Sequence, residues 1–272
     1  QGNIFNYSFI GDSLAITKIK QQINKIGPTS SRVMIYGESG TGKDVIAKEI
    51  HKNSPNRNGP FIAINAALLD PNNLEGLLFG SQDSGINEIG YLEKATNGTL
   101  FIDEVGEMPL QTQAKILRVL TDKNFTKRGG NELIKLNCRI VCSSTKNLEM
   151  LINEGSFRKD LFHRLNVVTI RLPNLNERFD DIDTLIDYFT EIFSKANNQK
   201  KTDLKPIIKT KYLNYDWPGN IRELRNVIER YSILGEKYDD NSTTEMTDDF
   251  QNKNVISLPL RNARKLFEKN YL

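Results

Sequence analysis

The residues best suited to bind a ligand form a glycine-rich turn near the amino end of the chain. Residues 37–44 read Gly-Glu-Ser-Gly-Thr-Gly-Lys-Asp and directly follow the apolar run of residues 32–36. Glycines at these spacings let backbone N–H groups crowd around an anion, and the positive end of a following helix adds to the attraction. A lysine in this position reaches the β- and γ-phosphates of a nucleotide. The pattern predicts a phosphate-binding loop made of Gly37, Glu38, Ser39, Gly40, Thr41, Gly42, Lys43 and Asp44. A glycine-rich turn with a solvated lysine is the alternative.

A second nucleotide signal is the run Thr-Leu-Phe-Ile-Asp-Glu at residues 99–104. Its apolar residues predict a buried strand that delivers two carboxylates at its carboxyl end, where ligands bind in open α/β sheets. Because successive strand side chains point to opposite faces, Asp103 and Glu104 are expected to do different work. We assign Asp103 to the shell of a Mg²⁺ ion and Glu104 to polarising the water that attacks the γ-phosphate. An acidic pair that merely ends a strand at the surface is the alternative.

The elements that must position these residues alternate along the chain. Short apolar runs predict strands at 32–36, 61–65, 99–103, 139–144 and 167–172, and helical patterns at 44–51, 109–121 and 148–154 separate them. This alternation is typical of a parallel sheet covered on both faces. After Pro173 only helical patterns follow, at 181–195, 206–215 and 220–234. We therefore expect an α/β domain and then a small all-α subdomain, whose last helix begins with Asn220 as its N-cap and Glu223 completing a capping box.

Composition and charge narrow the class of protein. The chain has 272 residues, of which 38% are hydrophobic and 26% charged, with a formal net charge of +3. No apolar run approaches the ~20 residues of a membrane-spanning helix, so no membrane partner is expected. The small net charge gives no support for a nucleic-acid surface in this segment. Cys138 and Cys142 have no neighbouring Cys or His that could bind a metal with them, so we expect reduced thiols in the core. Reduced thiols are typical of a cytoplasmic protein.

Two further motifs complete a recognisable set. Residues 157–166 read Phe-Arg-Lys-Asp-Leu-Phe-His-Arg-Leu-Asn, and residues 217–224 read Trp-Pro-Gly-Asn-Ile-Arg-Glu-Leu. With the phosphate loop and the acidic strand, the chain resembles the AAA+ ATPase domain of bacterial enhancer-binding proteins, the activators of sigma-54 RNA polymerase. The pattern of residues 258–272 is similar to the helix that precedes the DNA-binding domain in NtrX-type nitrogen-regulation response regulators, the subgroup of closest resemblance.

The resemblance implies a fold and its boundaries. It implies a P-loop AAA+ three-layer α/β sandwich with a five-stranded parallel sheet, followed by a small all-α lid. The expected domains are the nucleotide-binding α/β subdomain at 8–175, the helical lid at 176–235, a polar linker at 236–257 and the start of a truncated C-terminal helical, DNA-binding domain at 258–272.

The resemblance also implies roles for residues around the nucleotide. Asn65 matches the residue that restrains the catalytic glutamate until the nucleotide state changes, and a polar strand-end residue is the alternative. Thr145 matches the sensor that hydrogen-bonds near the γ-phosphate or the water, although a buried hydroxyl satisfied by backbone would look the same. Ile10 and Gly11 match the adenine pocket.

Three arginines have implied roles of their own. Arg158 and Arg164 match the arginine fingers that act on the neighbouring protomer's nucleotide, and surface arginines are the alternative. If both lay on one helix, six residues apart, they would be rotated by roughly 120° and would not do identical work. Arg222 matches the second sensor, which couples the lid to the nucleotide; a helix-surface ion pair is its alternative. An active site completed in trans requires assembly, so we expect a homo-oligomeric ring, a hexamer by resemblance.

The sequence departs from the family pattern at two places. Asp44 replaces the Ser or Thr that usually completes a phosphate loop and ligates Mg²⁺; we interpret it as a family trait and a second metal ligand. Sigma-54 activators carry a Gly-Ala-Phe-Thr-Gly-Ala loop that presents an aromatic tip to the polymerase. Here residues 81–88 read Ser-Gln-Asp-Ser-Gly-Ile-Asn-Glu, a short polar loop that has no means of forming a hydrophobic hot spot.

These observations favour one function over two others. The expected function is the ATP-binding and ATP-hydrolysing central domain of a two-component transcription regulator, with ATP and Mg²⁺ as cofactors. Nucleotide-dependent assembly would control DNA binding by a domain not in this chain, and a sensor histidine kinase would act through a receiver domain. The alternatives are an ATPase motor that remodels sigma-54 polymerase and an AAA+ unfoldase or helicase, and the polar loop argues against both.

Overall fold

The computed structural model describes residues 7–83, 86–197, 201–213 and 215–235. The strands are β1 (Val33–Tyr36), β2 (Phe61–Asn65), β3 (Gly80–Asp83), β4 (Ile86–Ile89), β5 (Thr99–Asp103), β6 (Asn124–Phe125), β7 (Ile134–Lys135), β8 (Arg139–Ser144) and β9 (Val168–Arg171). The helices are α1 (Leu14–Ile26), α2 (Lys43–Lys52), α3 (Pro71–Phe79), α4 (Tyr91–Lys94), α5 (Leu110–Asp122), α6 (Leu148–Asn153), α7 (Lys159–Leu165), α8 (Ile182–Ala196), α9 (Lys205–Lys211) and α10 (Asn220–Leu234). Residues up to Glu229 form one compact unit; the second unit, Arg230–Leu272, is described only through Gly235.

A five-stranded parallel sheet forms the centre of the first unit. Its strand order is β2-β5-β8-β1-β9, and every neighbouring pair is parallel. All five strands predicted from the apolar runs are present, and β9 is one residue shorter at each end than expected. The predicted α/β fold class with a five-stranded parallel sheet is confirmed. Because the strands are parallel, the carboxyl ends of β1, β5 and β8 meet at one edge.

Side-chain alternation along β1 divides the core into two layers, one on each face of the sheet. Met34 packs with the apolar residues of α3, α5, α6 and α7 on one face. Val33 and Ile35 pack on the other face with the apolar stripes of α1 and α2. This arrangement makes the three-layer sandwich expected for a parallel sheet.

Helix α1 was not anticipated by the sequence reading. Ser13 is its N-cap and accepts a hydrogen bond from the Ile16 N–H at 3.4 Å. Ile16, Ile19 and Ile23 form its buried stripe at helical spacing. In the part of the chain that the structure describes, no helix is long and apolar enough to cross a membrane.

The loop predicted to be short and polar is a β-hairpin. Strands β3 and β4 pair antiparallel, with Gln82 opposite Asn87. A second antiparallel ribbon, β6–β7, lies later in the chain, and Arg128 between its strands bonds to the hairpin. The Gln82 N–H donates to the Arg128 carbonyl at 2.8 Å, and the Arg128 N–H donates to the Gly80 carbonyl at 3.0 Å. The hairpin is therefore attached to the rest of the fold beyond its own two ends.

The lid region follows β9 with two short 3-10 turns, Leu175–Glu177 and Phe179–Asp181, and then α8 to α10. The absence of further strands among the described residues agrees with the predicted all-α subdomain. The helix predicted for 206–215 ends early, at Lys211. The proposed linker at 236–257 and helix at 258–272 lie outside the described residues.

The predicted capping box of α10 is wrong in its details. Asn220 has a φ of +53°, and its side chain does not cap its own helix. Its Oδ1 accepts from the Leu175 N–H at 2.8 Å, and its Nδ2 donates to the Ser39 carbonyl at 3.1 Å. Glu223 instead accepts from the Gly219 N–H at 2.8 Å, which satisfies one donor at the start of the helix. Asn220 thus joins the lid to the phosphate loop.

Candidate functional site

The predicted phosphate loop joins β1 to α2 and presents free backbone donors. Gly40 and Gly42 have φ values of +78° and +99°, which only glycine adopts easily. A Cβ at Gly40 would overlap the carbonyl of Gly219. Among the described residues, none accepts a hydrogen bond from the N–H of Gly42, Lys43 or Asp44. These donors at the amino end of a helix form an anion-binding concavity.

Lys43 bends back over this loop and is almost fully buried. Its Nζ donates to the carbonyls of Gly37 at 3.0 Å and Glu38 at 3.2 Å. It also forms an ion pair with Glu104, 3.2 Å from Oε1. The ammonium therefore lies between the loop and the acidic pair, at the place where a phosphate would be held.

Glu104 lies just beyond the end of β5 and is held by the end of β8. Its φ of +54° places a non-glycine residue in the left-handed region. The N–H and the hydroxyl of Thr145 both donate to Glu104 Oε2, at 2.9 and 2.8 Å. The Glu104 N–H is 3.3 Å from Ser143 Oγ. Thr145 is thus adjacent to the predicted catalytic carboxylate and fixes its orientation.

Asp103 is the partner of Asn65, which differs from the expected pairing. Asn65 and Asp103 are opposite each other in the β2–β5 register, and Asn65 Nδ2 donates to Asp103 Oδ2 at 2.9 Å. The resemblance had implied that Asn65 restrains Glu104, whereas in this structure Glu104 is held by Thr145 and Lys43. The Ser143 hydroxyl donates to the other Asp103 oxygen.

The carboxyl group of Asp103 has a raised pKa. Burial is the largest cause; the Ser143 hydrogen bond and Lys43 lower the pKa, while Glu104 and Asp44 raise it further. Asp103 and Asp44, the two predicted metal ligands, border one cavity. The described residues contain no cluster of three or more His, Cys, Asp or Glu side chains that would hold a metal by themselves. This donor set suits Mg²⁺, which proteins bind through one or two carboxylates together with substrate phosphates.

The cavity at this edge measures about 530 Å³ and has two chemically different ends. One end is formed by the phosphate loop with Asp103 and Glu104. The other end is formed by residues 7–10, by α8 and by α10, with the walls Tyr7, Phe9, Ile10, Leu185, Tyr188, Phe189, Ile221 and Arg225. A polar end joined to an apolar and aromatic end suits a nucleotide, whose phosphates are polar and whose base has apolar faces.

Of the two residues assigned to the base end, the structure places one in the cavity wall, together with several residues that were not assigned. Ile10 lines the cavity, as the resemblance implied, but Gly11 is not part of its wall. The Ser8 N–H donates to the Tyr188 hydroxyl at 2.7 Å, and the Arg225 guanidinium lies 5.7 Å from the centre of the Tyr7 ring. Sequence reasoning missed Tyr7, Tyr188 and Arg225, because no local motif marks them. For Tyr188 and Arg225 the only signal was the 3.6-residue periodicity of α8 and α10, and Tyr7 lies in neither helix.

Arg222, the predicted second sensor, contacts the phosphate loop from the lid. Its Nη1 donates to Ser39 Oγ at 2.8 Å, and its backbone N–H donates to the Gly40 carbonyl at 3.3 Å. It also lines the cavity. Its position between the lid and the loop is the one expected for a residue that couples them.

Arg158 and Arg164 lie away from the cavity of their own chain. Arg158 is the N-cap of α7 and pairs with Asp160 through two hydrogen bonds, at 3.0 and 2.7 Å. That carboxylate raises the pKa of the exposed Arg158 guanidinium. Arg164 lies in the last turn of the same helix. Neither lines the nucleotide cavity, so the roles implied for them in trans stay predictions.

A larger cavity, of about 840 Å³, opens beside β9 and α1. It shares Glu38 and Thr145 with the surroundings of the phosphate loop but contains neither Lys43 nor the acidic pair. The smaller cavity therefore holds the phosphate-binding chemistry. The two cysteines take no part in either site: both thiols are free, and burial raises the pKa of Cys142 to about 12 and that of Cys138 to about 11.

The parallel sheet, the phosphate loop and the acidic strand end define a P-loop NTPase domain of the AAA+ class with a helical lid. The family profile of the sigma-54 interaction domain matches residues 9–171, and that of the AAA+ ATPase lid domain matches residues 176–255. The chain belongs to the sigma-54 interaction domain family. The resemblance inferred from its motifs is thereby confirmed.

Relatives of the NtrX type share nearly the whole chain. It is 38% identical to the nitrogen assimilation regulatory protein NtrX of Azorhizobium caulinodans over 98% of this chain and 62% of that protein. Crystal structures of Brucella abortus NtrX in complex with ADP and with ATP superpose with TM-scores of 0.81 and 0.80, at 41% and 40% identity. Each match covers 96% of this chain and 61% of the other. The chain thus spans about three fifths of the length of these relatives.

Proposed function

We propose that this chain is the ATP-binding and ATP-hydrolysing central domain of a two-component transcription regulator. The observation that carries the proposal is the convergence of the phosphate loop, Lys43 and the acidic pair on one cavity with an apolar second end. The complexes of Brucella abortus NtrX with ADP and ATP support adenine nucleotides as the ligands. The donor set at the cavity fits a nucleotide accompanied by Mg²⁺.

Each residue of the site has a task in this proposal. Lys43 exchanges its contacts with the loop carbonyls for the phosphate oxygens, and the free N–H groups of the loop bind the same anion. Asp103 and Asp44 provide the carboxylate oxygens for Mg²⁺, which when bound offsets the charge of the phosphates. Glu104, oriented by Thr145, polarises the attacking water.

Assembly and DNA binding complete the proposed function. Arg158 and Arg164 would reach the nucleotide of a neighbouring protomer, so hydrolysis would take place only in a homo-oligomeric ring, with a hexamer as the proposed size. Nucleotide state would then control DNA binding through a domain outside this chain. A sensor histidine kinase would act through a receiver domain, in the cytoplasm. The description of the relative from Azorhizobium caulinodans as a nitrogen assimilation regulator supports this class of process.

Titration with a fluorescent adenine nucleotide tests the proposal at its base. We expect saturable binding that requires Mg²⁺ for full affinity and that ATP and ADP displace. Lys43→Ala should abolish it, whereas Lys52→Ala, an exposed lysine on the same helix, should not change it. A folded wild-type protein that takes up no nucleotide would overturn the proposal.

A second candidate function is the remodelling of sigma-54 RNA polymerase. The description of the matching family favours it. The antiparallel strands β3 and β4 stand where the activators carry their aromatic loop, and their polar sequence argues against it. Open-complex formation by sigma-54 polymerase with the full-length protein and ATP separates the two candidates. Robust activation would support the motor function.

A further inference from the structure

Arg178, in the short turns between β9 and α8, is an unusual buried cation. Only 2% of its surface is exposed. Its Nη2 donates to the backbone carbonyl of Thr41 in the phosphate loop at 3.3 Å. Among the described residues, neither its Nε nor its Nη1 has a hydrogen-bond partner. A buried guanidinium with most of its donors unused is costly, and such a group calls for a functional explanation.

The nearest acid does not neutralise this charge by direct contact. Burial lowers the pKa of Arg178, and Asp181 raises it from a distance, but no ion pair joins the two among the described residues. The Asp181 oxygens are used elsewhere, by the N–H groups of Asp12 and Ser13 and by the Ser13 hydroxyl. The positive charge of Arg178 thus remains beside the phosphate loop, where it attracts an anion.

The hydrogen bond from Arg178 also fixes the direction of a loop peptide. In a planar trans peptide the C=O and N–H groups point in opposite directions. Holding the Thr41 carbonyl on the Arg178 side therefore turns the N–H of Gly42 to the other side. This N–H is one of the loop donors that have no acceptor among the described residues. Arg178 keeps it available for a phosphate.

Asp181, one turn further on, holds the base end of the cavity. Its Oδ1 accepts from the N–H groups of Asp12 at 2.6 Å and Ser13 at 2.8 Å, and its Oδ2 accepts from the Ser13 hydroxyl at 2.7 Å. Gly11 has a φ of +135° here, and a Cβ on it would lie 2.8–3.0 Å from the Asp181 carboxylate atoms. The segment after Ile10, which lines the cavity, is thereby fixed against the first turn of the lid.

We propose that Arg178 and Asp181 are a pair of positioning residues, in which Arg178 organises the phosphate end of the nucleotide site and Asp181 organises the base end. Both side chains belong to one short stretch at the start of the lid, so the two ends of the site share a common support. This inference rests on the proposed function, because it assumes that the cavity takes a nucleotide. It assigns a binding role to two residues that do not line the cavity.

The two roles predict different losses for ATP and for adenosine, which lacks phosphates. Arg178→Met should weaken ATP binding by about tenfold or more, because it removes a charged hydrogen bond, and should change adenosine binding by less than about twofold. Arg178→Lys, which keeps the charge and a donor, should recover most of the ATP affinity. Asp181→Asn should weaken ATP and adenosine by the same factor. Competition against a fluorescent adenine nucleotide measures the ATP and adenosine affinities of the wild type and of each variant.

Arg139 provides a matched control for the loss of a buried arginine. It is 4% exposed, is the first residue of β8, and donates to the backbone carbonyls of Ile26, Gly27 and Ser31, outside the cavity wall. Arg139→Met should lower the melting temperature and leave the affinities for ATP and for adenosine unchanged. Thermal unfolding of each variant, followed by circular dichroism, shows which ones are folded at the titration temperature.

The inference is overturned if folded Arg178→Met binds ATP as the wild type does, or if it loses ATP and adenosine by equal factors. It is also overturned if folded Asp181→Asn binds both ligands as the wild type does, or loses affinity for only one of them. If Arg178→Met does not fold, Arg178→Gln, which also removes the charge, replaces it, and unchanged ATP binding or an equal loss of both ligands in that variant again overturns the inference. A wild-type protein that binds neither ligand would overturn the proposed function itself, whereas failure of the variants alone leaves that function standing.

Discussion

Glu104 concentrates the chemistry of the site in one strained residue. A non-glycine residue in the left-handed region costs roughly 1 kcal/mol, and the structure retains it at the end of β5. As a result, the Glu104 side chain does not continue the strand direction of Asp103 and accepts hydrogen bonds from both the N–H and the hydroxyl of Thr145. Strand alternation predicted that the two carboxylates have different roles. In the structure they point apart because the backbone at Glu104 turns into the left-handed region.

Glu104→Gln should keep ATP binding and lose at least about 100-fold in hydrolysis, because an amide still accepts from Thr145 but does not polarise water as a carboxylate does. Glu107→Gln, which removes a more exposed ion pair with Lys146, should hydrolyse ATP like the wild type. The measurement is ATP turnover together with nucleotide affinity for each variant. Unchanged turnover in Glu104→Gln would remove this residue from the mechanism.

Asp103→Asn should stabilise the nucleotide-free protein at neutral pH. Burial raises the folded-state pKa of Asp103, so its favourable contribution exists below the unfolded-state pKa and is lost as the pH rises through the folded-state pKa. Above the folded-state pKa the carboxylate is charged and its burial is unfavourable, and the amide removes that charge. We expect a higher melting temperature at pH 7, and a gain that shrinks as the pH falls towards about 4.

Asp12→Asn is the control for this change, because its carboxylate is highly exposed. Its melting temperature should equal that of the wild type at both pH values. The same Asp103→Asn substitution should weaken nucleotide binding in the presence of Mg²⁺. A melting temperature that falls by the same amount at both pH values would contradict the prediction.

At the scale of single residues, motif spacing located the phosphate end of the site but not which side chains hydrogen-bond to each other there. Residues 37–44 and 103–104 were identified because their chemistry is encoded in contiguous residues. The contact between Asn65 and Asp103 could not be read from the sequence, because it depends on the register between β2 and β5; the implied action of Asn65 on Glu104 stays a prediction. The aromatic wall of the base end comes from α8 and residues 7–10, which only the folded chain brings together.

At the scale of elements, the β3–β4 hairpin is the clearest departure from the activators that the chain resembles. Lys127, next to the β6–β7 ribbon and 9% exposed, donates to Asn87 Oδ1 at 2.7 Å and pairs with Glu93 at 3.0 Å. Together with the backbone bonds to Arg128, this lysine ties the hairpin to the second ribbon. The sequence identified the segment as polar, but its attachment depends on long-range pairing that no local pattern encodes.

Lys127→Met should loosen the hairpin without unfolding the domain. The change removes a buried charge pair and a hydrogen bond, which we expect to cost about 1–3 kcal/mol. Amide exchange at Gln82, whose N–H bonds to the Arg128 carbonyl, should become faster by about tenfold. Lys195→Met, which removes an exposed pair on α8, should leave this exchange rate unchanged. Equal exchange in the two variants would show that the lysine does not hold the hairpin.

At the scale of the whole molecule, the proposed ATPase activity depends on which protomer's arginines reach the nucleotide. Arg158 and Arg164 lie outside the cavity of their own chain, so in the proposed mechanism a single protomer has Lys43 but not the two arginines expected to offset charge in phosphoryl transfer. We expect the ATPase rate per protomer to rise steeply and cooperatively with protein concentration. A rate per protomer that is constant over the range in which assembly occurs would contradict completion of the site in trans.

Mixing variants tests the shared site directly. Arg158→Ala keeps its own Glu104 but offers no arginine to its neighbour, and Glu104→Gln offers an arginine but has no active carboxylate. Each alone should bind nucleotide and hydrolyse almost none. In a mixed assembly, the site of an Arg158→Ala protomer receives the arginine of a Glu104→Gln neighbour, so turnover should return. Arg164→Ala should behave in the same way if it too acts in trans.

The control for this experiment is the double variant Glu104→Gln/Arg158→Ala, which offers neither group. Mixed with Arg158→Ala, it should restore no turnover, because no protomer then supplies an arginine at position 158. Rescue by the double variant would mean that another group completes the site. No rescue by Glu104→Gln, in mixtures that sedimentation shows to be assembled, would mean that Arg158 acts within its own chain, and the proposed dependence of hydrolysis on the ring would fail with it.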